Sequence, residues 1–408
     1  MIAWLLISFF VLLFLGVPIA MSLGLSAMGG ILFLGGGSTV TIAQRMFEGM
    51  NSFALLAIPL YTFAGFTMSK GGISKRLMDF CYSIVGHIYG GLAHVNVLSS
   101  MIFAGISGSA VADTAGVSGM FMPEMVRKGY SKNFTVAVTA ISSTIGIIIP
   151  PSIPMVVIAG ICGISTGKLF LGGIIPGVLC GLAQMIVSYF MAKKEGVPKE
   201  PGHFTIGPVL HGLWESWPAL LMPIIIVGTI TMGIVSPTEA GVIAVVYGLF
   251  AGGIIYRELK WEDIKFAFAE TVRTSGRIFI VIGAAKLYTV MLTTAGFDKW
   301  VAKTMLGFST NPTVILIMIL LIFFIVTMFM ESIATLTLFM PILYPIALGV
   351  GINPIVLSVL ITVVIGVGLV TPPVGMCIYV ACDLMDVTVG EVFPTLVPFI
   401  EATFVCIA

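Results

Sequence analysis

Apolar residues occur along this chain in long blocks separated by short polar stretches. Most blocks have the length that crosses a bilayer, whose hydrocarbon core of about 30 Å needs about 20 helical residues. We therefore predict an all-α integral membrane protein that crosses the bilayer many times. The blocks lie near residues 2–34, 52–69, 133–149, 152–167, 169–192, 214–234, 238–256, 275–295, 353–370, 373–385 and 392–408.

The first block, 2–34, is too long for one straight span. It has no basic region before it, so we expect a permanent membrane segment and not a cleaved signal peptide. The pattern leaves open whether it forms one bent helix or two short ones.

Two further regions, about 94–125 and 312–348, are also too long for one span, and each is interrupted by a polar tip. The tips are residues 107–113 (SGSAVAD) and 331–335 (ESIAT), and a Phe-Met-Pro string follows each of them. Polar interruptions are tolerated in a membrane where they face protein or a water-filled cavity. We predict two re-entrant helical hairpins.

The two halves of the chain repeat one another. Pro150 and Pro372, Thr166 and Thr388, and Pro176 and Pro398 are separated by the same distance in sequence, and each half has a Pro-Pro pair in a Gly/Ile/Val-rich run. Paired apolar segments broken by Gly and Pro indicate the binding site of a secondary transporter. We predict a broken helix in each half, at about 133–167 and 353–385.

Charge placement predicts that the second half is inverted. The first hairpin is followed by Arg127, Lys128 and Lys132, whereas no Lys or Arg follows the second one between 347 and 353. Positive residues mark the cytoplasmic side, so the hairpins enter from opposite faces. We assign 1–192 to the first inverted repeat, 193–213 to a cytoplasmic linker and 214–408 to the second inverted repeat.

Amphipathic segments at 74–80 and 297–303 are predicted surface arms, with a plain loop as the alternative.

Composition narrows the function. The chain has 408 residues, of which 58% are hydrophobic and 9% charged, with a mean hydropathy of +1.14 and a net charge of +1. The balance gives no reason to expect a nucleic-acid partner. The sequence has no P-loop and no HExxH, and its six cysteines form no CxxC, so an enzyme, a disulfide framework or a transition-metal site is not expected.

The polar tips suit a hard monovalent cation. Half-helix ends leave carbonyl oxygens free, Ser and Thr add hydroxyls, and proline removes the amide that would bond an upstream carbonyl. We predict two related oxygen cages, one in each half, with Na⁺ as the occupant. The structural alternatives are that Ser109 caps a helix and that Ser and Thr hydroxyls bond their own helices.

Four charged residues in apolar surroundings need an explanation. Asp113 and Glu331 are candidates for substrate binding or coupling, although Asp113 could also stabilise a helix N-terminus. Glu239 is expected to cap the helix that begins near Pro237. Lys286 stands alone in an apolar run, and we assign it no role.

These residues together resemble the large membrane subunit of the tripartite ATP-independent periplasmic (TRAP) transporters. The similarity covers essentially the whole chain. The motifs that carry it are residues 105–114 (GISGSAVADT), 149–152 (IPPS), 236–240 (SPTEA) and 368–375 (GLVTPPVG). The chain ends at Ala408, earlier than expected for the family, which predicts a truncated last helix.

The resemblance implies a Na⁺-coupled, elevator-type secondary transporter of the ion-transporter superfamily. It implies a bacterial inner-membrane protein that works with a separate small four-helix membrane subunit and a periplasmic binding protein. The implied substrate is a small organic anion such as a C4-dicarboxylate or sialic acid. In family terms, the first Na⁺ site carries over to Ser107, Ser109, Gly146 and Ile149, and the second to Ser332, Thr335, Gly366 and Thr371. The substrate or coupling candidates are Asp113, Ser143, Pro151, Glu331 and Pro372.

Two other functions stay open. One is an anion permease of the same architecture that works without a binding protein and is driven by Na⁺ or H⁺. The other is a membrane scaffold or assembly factor, which gives no reason for two buried polar tips.

Overall fold

The computed structural model describes residues 1–34, 38–197 and 205–407, without the side chains of residues 34, 39, 74, 106 and 107. Its described regular structure is helical. The helices of the first half are α1 (Ile2–Phe14), α2 (Ile19–Leu34), α3 (Thr39–Met50), α4 (Ala57–Lys70), α5 (Ile73–Val85), α6 (Gly91–Ser107), α7 (Ala110–Arg127), α8 (Lys132–Ser143), α9 (Ile153–Cys162) and α10 (Thr166–Lys194). Those of the second half are α11 (Ile206–Thr231), α12 (Pro237–Phe250), α13 (Trp261–Thr294), α14 (Phe297–Phe308), α15 (Pro312–Thr327), α16 (Ser332–Gly349), α17 (Pro354–Gly368), α18 (Met376–Asp383) and α19 (Val389–Val405).

The first apolar block forms two helices, which settles the choice that the sequence left open. Helix α1 ends at Phe14, and Gly16 adopts a left-handed φ of 80° before α2 begins at Ile19. Of the predicted linker, residues 198–204 lie outside the described part of the chain, as does Ala408. Helix α11 begins at Ile206, earlier than the apolar run that predicted it. Six described helices are long and apolar enough to span a membrane.

The constant offset between the two halves extends into the hairpins. Helices α7 (Ala110–Arg127) and α16 (Ser332–Gly349) begin and end at positions related by the offset that relates Pro150 to Pro372, and so do the first residues of α8 and α17. Pro123 therefore corresponds to Pro345. The two Phe-Met-Pro strings lie one helical turn out of this register. The strings are therefore not equivalent positions of the repeat. They resemble each other because a shift of one helical turn keeps residues on the same helix face.

Contacts of α10 bring the broken helices of the two halves together. Gly173 and Gly177 lie against Ile148 and Ile149, just after the end of α8. One turn away, Gly172 lies against Ile355, at the start of α17. The other end of α17 lies beside the end of α8, because Gly366 packs against Thr144. The fold is an all-α inverted repeat with two helical hairpins, as predicted.

Helices α1–α4 and α11–α13 form a scaffold. Helix α4 packs against α12 and α13, and α13 also packs against α2 and α3. The hairpins (α6–α7 and α15–α16) and the broken helices (α8–α9 and α17–α18) pack with α10 and α19 into a second bundle. Helix α16 contacts the scaffold through Ala334, Leu338 and Ile342, which join a buried cluster with Tyr288 of α13. This contact is apolar and places hairpin 2 against the scaffold.

The predicted arm segments lie in α5 and α14. Arg76 of α5 forms an ion pair of 2.7 Å with Glu258, and its guanidinium lies 4.2 Å from the centroid of the Tyr256 ring. The Ser216 hydroxyl of α11 donates to the Arg76 carbonyl at 2.9 Å. These contacts hold the start of arm α5 on the scaffold, while its other end leads into hairpin 1.

Candidate functional site

The tip of hairpin 1 is a two-residue turn that rests on the broken helix of its own half. Gly108 has a left-handed φ of 63°, and its carbonyl accepts a 3.2 Å hydrogen bond from the Ile153 amide. The Ser109 hydroxyl accepts from the Ala112 amide at 3.5 Å and so caps α7. The structural role foreseen for Ser109 is therefore present.

Hairpin 2 rests on its broken helix in the equivalent way. The Met328 carbonyl accepts from the amides of Val374 at 3.0 Å and Gly375 at 3.3 Å. The Glu331 carboxylate caps α16 by accepting from the Ile333 amide at 3.0 Å and from the Ser332 hydroxyl at 2.7 Å. Glu331 is the counterpart of Ser109 in the repeat, so the two tips cap equivalent helices with different chemistry.

Where each broken helix ends, proline removes the amide of a normal helical hydrogen bond. The Ile147 carbonyl would need the amide of Pro151, and it accepts instead from the Ser152 hydroxyl at 2.5 Å. The equivalent Leu369 carbonyl accepts from the Cys377 amide at 2.9 Å. Both Pro-Pro peptides, 150–151 and 372–373, are cis. These two carbonyls have partners and are poor candidates for ion ligands.

Two other carbonyls lose their helical donor, and both belong to predicted ligands. The donor for Gly146 would be Pro150, which has no N–H. The donor for Gly366 would be Val370, whose amide bonds the Val367 carbonyl at 3.2 Å. The two glycines are not equivalent by register, because Gly366 corresponds to Thr144, against which it packs. Beside the tips, the carbonyls of Gly146 and Gly366 thus lack the amide that would normally bond them in a helix.

Asp113 and Glu331 come into one neighbourhood. The Asp113 carboxylate lies directly against the Cα of Gly146, where a Cβ would collide with it. The Cys377 thiol of α18 lies beside Thr114, and both carboxylates are close enough to act on it electrostatically. Sequence reasoning missed Thr114 and Cys377, although Thr114 directly follows Asp113 in the motif.

The remaining predicted residues lie at the same helix ends. Ser107 is the last residue of α6, and its side chain lies outside the described part. The hydroxyls of Ser143, Thr335 and Thr371 bond carbonyls four residues earlier in their own helices, at 2.7, 3.1 and 2.7 Å. Such a hydroxyl can still accept, so this bonding is compatible with a ligand role. Ile149, Pro151 and Pro372 lie in the linkers of the broken helices.

A buried polar network next to hairpin 1 was not predicted. The Asn96 amide donates to Thr139 at 2.7 Å and accepts from Ser142 at 3.1 Å, and Ser142 also accepts from Ser100 at 3.1 Å. All four side chains are buried. The network joins α6 to α8. In the second half Thr139 and Ser142 correspond to Ile361 and Val364, so hairpin 2 has only apolar packing at these positions.

The donor chemistry of the site is that of hard oxygens. Among the described residues, no cluster of three or more His, Cys, Asp or Glu side chains could hold a metal ion. The oxygens available are the carbonyls of Gly146 and Gly366 and the hydroxyls of Ser109, Ser332 and Thr371. This set fits Na⁺ better than a transition metal.

Comparison with known proteins agrees with this fold. A family model described as "Tripartite ATP-independent periplasmic transporter, DctM component" matches residues 6–408. The chain is 34% identical over 397 residues to the sialic acid TRAP transporter large permease protein SiaM of Vibrio cholerae, covering 97% of the chain and 93% of the relative.

A second relative is longer than this chain. The isethionate TRAP transporter permease protein DctMQ of Oleidesulfovibrio alaskensis is 37% identical over 392 residues, which are 96% of the chain but only 62% of the relative. Among solved structures, the YdaH transporter of Alcanivorax borkumensis is similar with a TM-score of 0.64 and 13% identity, over 90% of this chain and 85% of that one. At this identity the similarity concerns the fold alone.

Proposed function

The chain belongs to the DctM component family of the tripartite ATP-independent periplasmic transporters, and from that premise we propose that it carries a small organic anion into the cell together with Na⁺. The family and its apolar helices make it a multi-pass membrane protein and a transporter permease, not an enzyme. The observation that carries the proposal is that each half pairs a docked hairpin tip with a glycine carbonyl that has lost its helical donor.

The proposed Na⁺ ligands are hard oxygens that approach from two elements in each half. In the first half they are the Gly146 carbonyl and the tip around Ser109. In the second half they are the Gly366 carbonyl, the Thr371 hydroxyl and the tip around Ser332 and Thr335. Helix ends of this kind coordinate Na⁺ in transporters built from inverted repeats.

The two acids supply a physical reason for coupling. Asp113 and Glu331 both lie near Cys377, so as carboxylates they make the centre of the site negative and repel an anion. Two bound Na⁺ ions would offset both charges. The anion would then meet the amide end of α7, where the helix dipole is positive. Anion binding should therefore require Na⁺.

The proposed substrate class follows from the relatives and the site together. Isethionate and sialic acid, named for two of the relatives, are both small organic anions. A periplasmic binding protein would deliver the substrate, and a small membrane subunit would complete the transporter in the bacterial inner membrane. We propose that the hairpin bundle moves as an elevator along the apolar contact between α16 and α13. Each net positive charge moved inward gains about 2.3 kcal/mol per 100 mV of membrane potential.

The test is uptake into proteoliposomes that contain the complete transporter, with the binding protein and its anion outside. We expect uptake to stop when choline replaces Na⁺, and to fall when Ser109→Ala is combined with Thr371→Ala. A matched control is Thr403→Val in α19, where the hydroxyl also bonds its own helix at 2.9 Å but lies away from the tips. Undiminished uptake in choline would refute Na⁺ coupling. Full uptake by the double variant would refute the ligand assignment alone.

A further inference from the structure

A groove on the outer surface of the scaffold lies between α4 and the start of α13, and we call it the α4–α13 groove. Its cavity of about 390 Å³ is lined by Phe63, Trp261, Ile264, Lys265 and Phe268. Apolar side chains therefore make most of the lining, and Lys265 adds an ammonium group. The volume lies in the range of about 300–1,000 Å³ that is typical of small-molecule sites. The groove can hold part of a ligand whose body is apolar.

The groove leads from the edge of the membrane into the span. Helix α4 ends at Lys70, and the next residue, Gly71, lies against Gly252 at the end of the apolar run of α12. Trp261 begins α13 just after that run, where the bilayer meets water and tryptophan is enriched. Phe63 lies about 10 Å deeper, two helical turns back along α4 from its end. An occupant would have its polar end beside Trp261 and its apolar body beside Phe63.

Two lysines lie near the polar end of the groove. The Lys265 ammonium is 5.9 Å from the centroid of the Trp261 ring, and the Lys70 ammonium is 4.8 Å from that of Phe266. Both side chains are exposed, and no described residue forms an ion pair with either of them. The two positive charges are thus available to a ligand from outside the chain.

The acids of the neighbouring segment do not neutralise these lysines. Glu258 pairs with Arg76 at 2.7 Å, and the Asp263 carboxylate accepts from the Lys260 amide at 3.0 Å. Glu262 lies off the groove face of α13, because positions 261, 265 and 268 follow one helix face and 262 does not. The polar end of the groove therefore attracts an anion.

We infer that the α4–α13 groove binds an anionic phospholipid of the cytoplasmic leaflet, with its phosphate near Lys70 and Lys265 and an acyl chain beside Phe63 and Phe268. Charge complementarity selects this occupant, since the choline group of a zwitterionic lipid would be repelled by the lysines. The position agrees with it, because basic residues mark the cytoplasmic side and anionic lipids enrich that leaflet. The inference goes beyond the proposed function and depends neither on Na⁺ nor on the transported anion.

The test is native mass spectrometry of the purified transporter, mixed with detergent micelles that contain equal amounts of phosphatidylglycerol and phosphatidylcholine. We expect phosphatidylglycerol to be retained preferentially, and Lys70→Ala combined with Lys265→Ala to weaken its binding at least roughly tenfold. The matched control is Lys193→Ala combined with Lys194→Ala, which removes the same charge from exposed positions at the end of α10 and should leave this binding unchanged. Equal retention of the two lipids, or equal losses in the two double variants, overturns the inference.

A second variant separates the groove from its charges. Ile264→Trp fills the cavity and keeps both lysines, so it should also weaken the binding of phosphatidylglycerol. Full binding by this variant would show that no acyl chain enters the groove, and it overturns the inference.

A photo-crosslinking amino acid at Phe268, which is exposed in the groove, leaves every lysine in place in case the double variant does not fold. In vesicles of phosphatidylglycerol and phosphatidylcholine we expect a crosslink to phosphatidylglycerol. A crosslink only to phosphatidylcholine, to another polypeptide or to a second copy of the chain overturns the inference. No ion gradient is applied, so a failure here is distinct from a failure of Na⁺ coupling.

Discussion

Replacing Gly108 by alanine tests whether the docked tip of hairpin 1 sets the affinity for Na⁺. Gly108 has a φ of 63°, and a Cβ there would lie 2.6 Å from the Pro151 carbonyl oxygen and 3.2 Å from the Ile153 amide nitrogen. The left-handed conformation costs a residue with a Cβ about 1–2 kcal/mol. Because the neighbours are backbone atoms, the tip must also move and lose its hydrogen bond to Ile153, which is worth about 1 kcal/mol.

The total of about 2–3 kcal/mol corresponds to a shift of at least roughly tenfold in the population of the docked tip. We expect Gly108→Ala to weaken Na⁺ binding by at least that factor, since the tip carries Ser109. The assay is the Na⁺ concentration that gives half-maximal uptake in proteoliposomes, together with Na⁺-dependent thermal stabilisation of the purified protein.

Gly163→Ala is the matched control. Gly163 also has a left-handed φ, 67°, but no neighbouring atom lies within 4 Å of the point that a Cβ would occupy. It should show the conformational cost as lower thermal stability, with Na⁺ affinity unchanged. Equal Na⁺ affinities for the two variants would refute the argument that contact with the Pro-Pro linker positions the tip.

Further predictions concern other parts of the hairpin bundle and the arm. Gly146→Ala should abolish Na⁺-dependent uptake because its Cβ displaces Asp113, whereas Gly119→Ala in α7, with open space around it, should transport normally. Asn96→Leu should lower the free energy of unfolding by about 1–3 kcal/mol, measured by denaturation in detergent, since buried hydroxyls lose their partner. Burial raises the pKa of Asp79 on arm α5, so folding disfavours its ionised form. Asp79→Asn should therefore raise the melting temperature at pH 7. This gain should shrink as the pH falls through the raised pKa, because the carboxyl group is then neutral in the folded protein as well.

The sequence predicts the architecture well because the bilayer limits the possibilities. Spans, hairpins and broken helices follow from apolar length and from the positions of Gly and Pro. Ser236 and Glu239 form the capping box that the Pro-Thr-Glu string indicates, with bonds of 2.7 and 3.3 Å. Helix α3 was missed because it has only 12 residues, which is too short for a membrane span. The period of Val40, Phe47 and their neighbours is nevertheless helical, and a search for amphipathic segments between the spans could have found it.

The chemistry of the site is less predictable, because the repeat preserves the course of the backbone more than the side chains. The Ile147 carbonyl receives a hydroxyl and the equivalent Leu369 carbonyl receives an amide, so the same need is met by different groups. The position of a proline in the sequence shows which amide donor is missing. It does not show which group replaces that donor. The same limit explains why Cys377, an apolar residue by its sequence context, was not connected with Thr114.

The asymmetry between the halves has a consequence for which hairpin moves more easily. Four buried polar side chains, Asn96, Ser100, Thr139 and Ser142, join hairpin 1 to α8, and separating them would leave unpaired groups in a low dielectric. Hairpin 2 faces α17 with apolar side chains, whose contacts can shift by small steps without leaving a polar group unpaired. Hairpin 1 should therefore stay fixed to its broken helix during transport, and backbone amides of α15 should exchange with deuterium sooner than those of α6. Equal protection of α15 and α6 would contradict this reasoning.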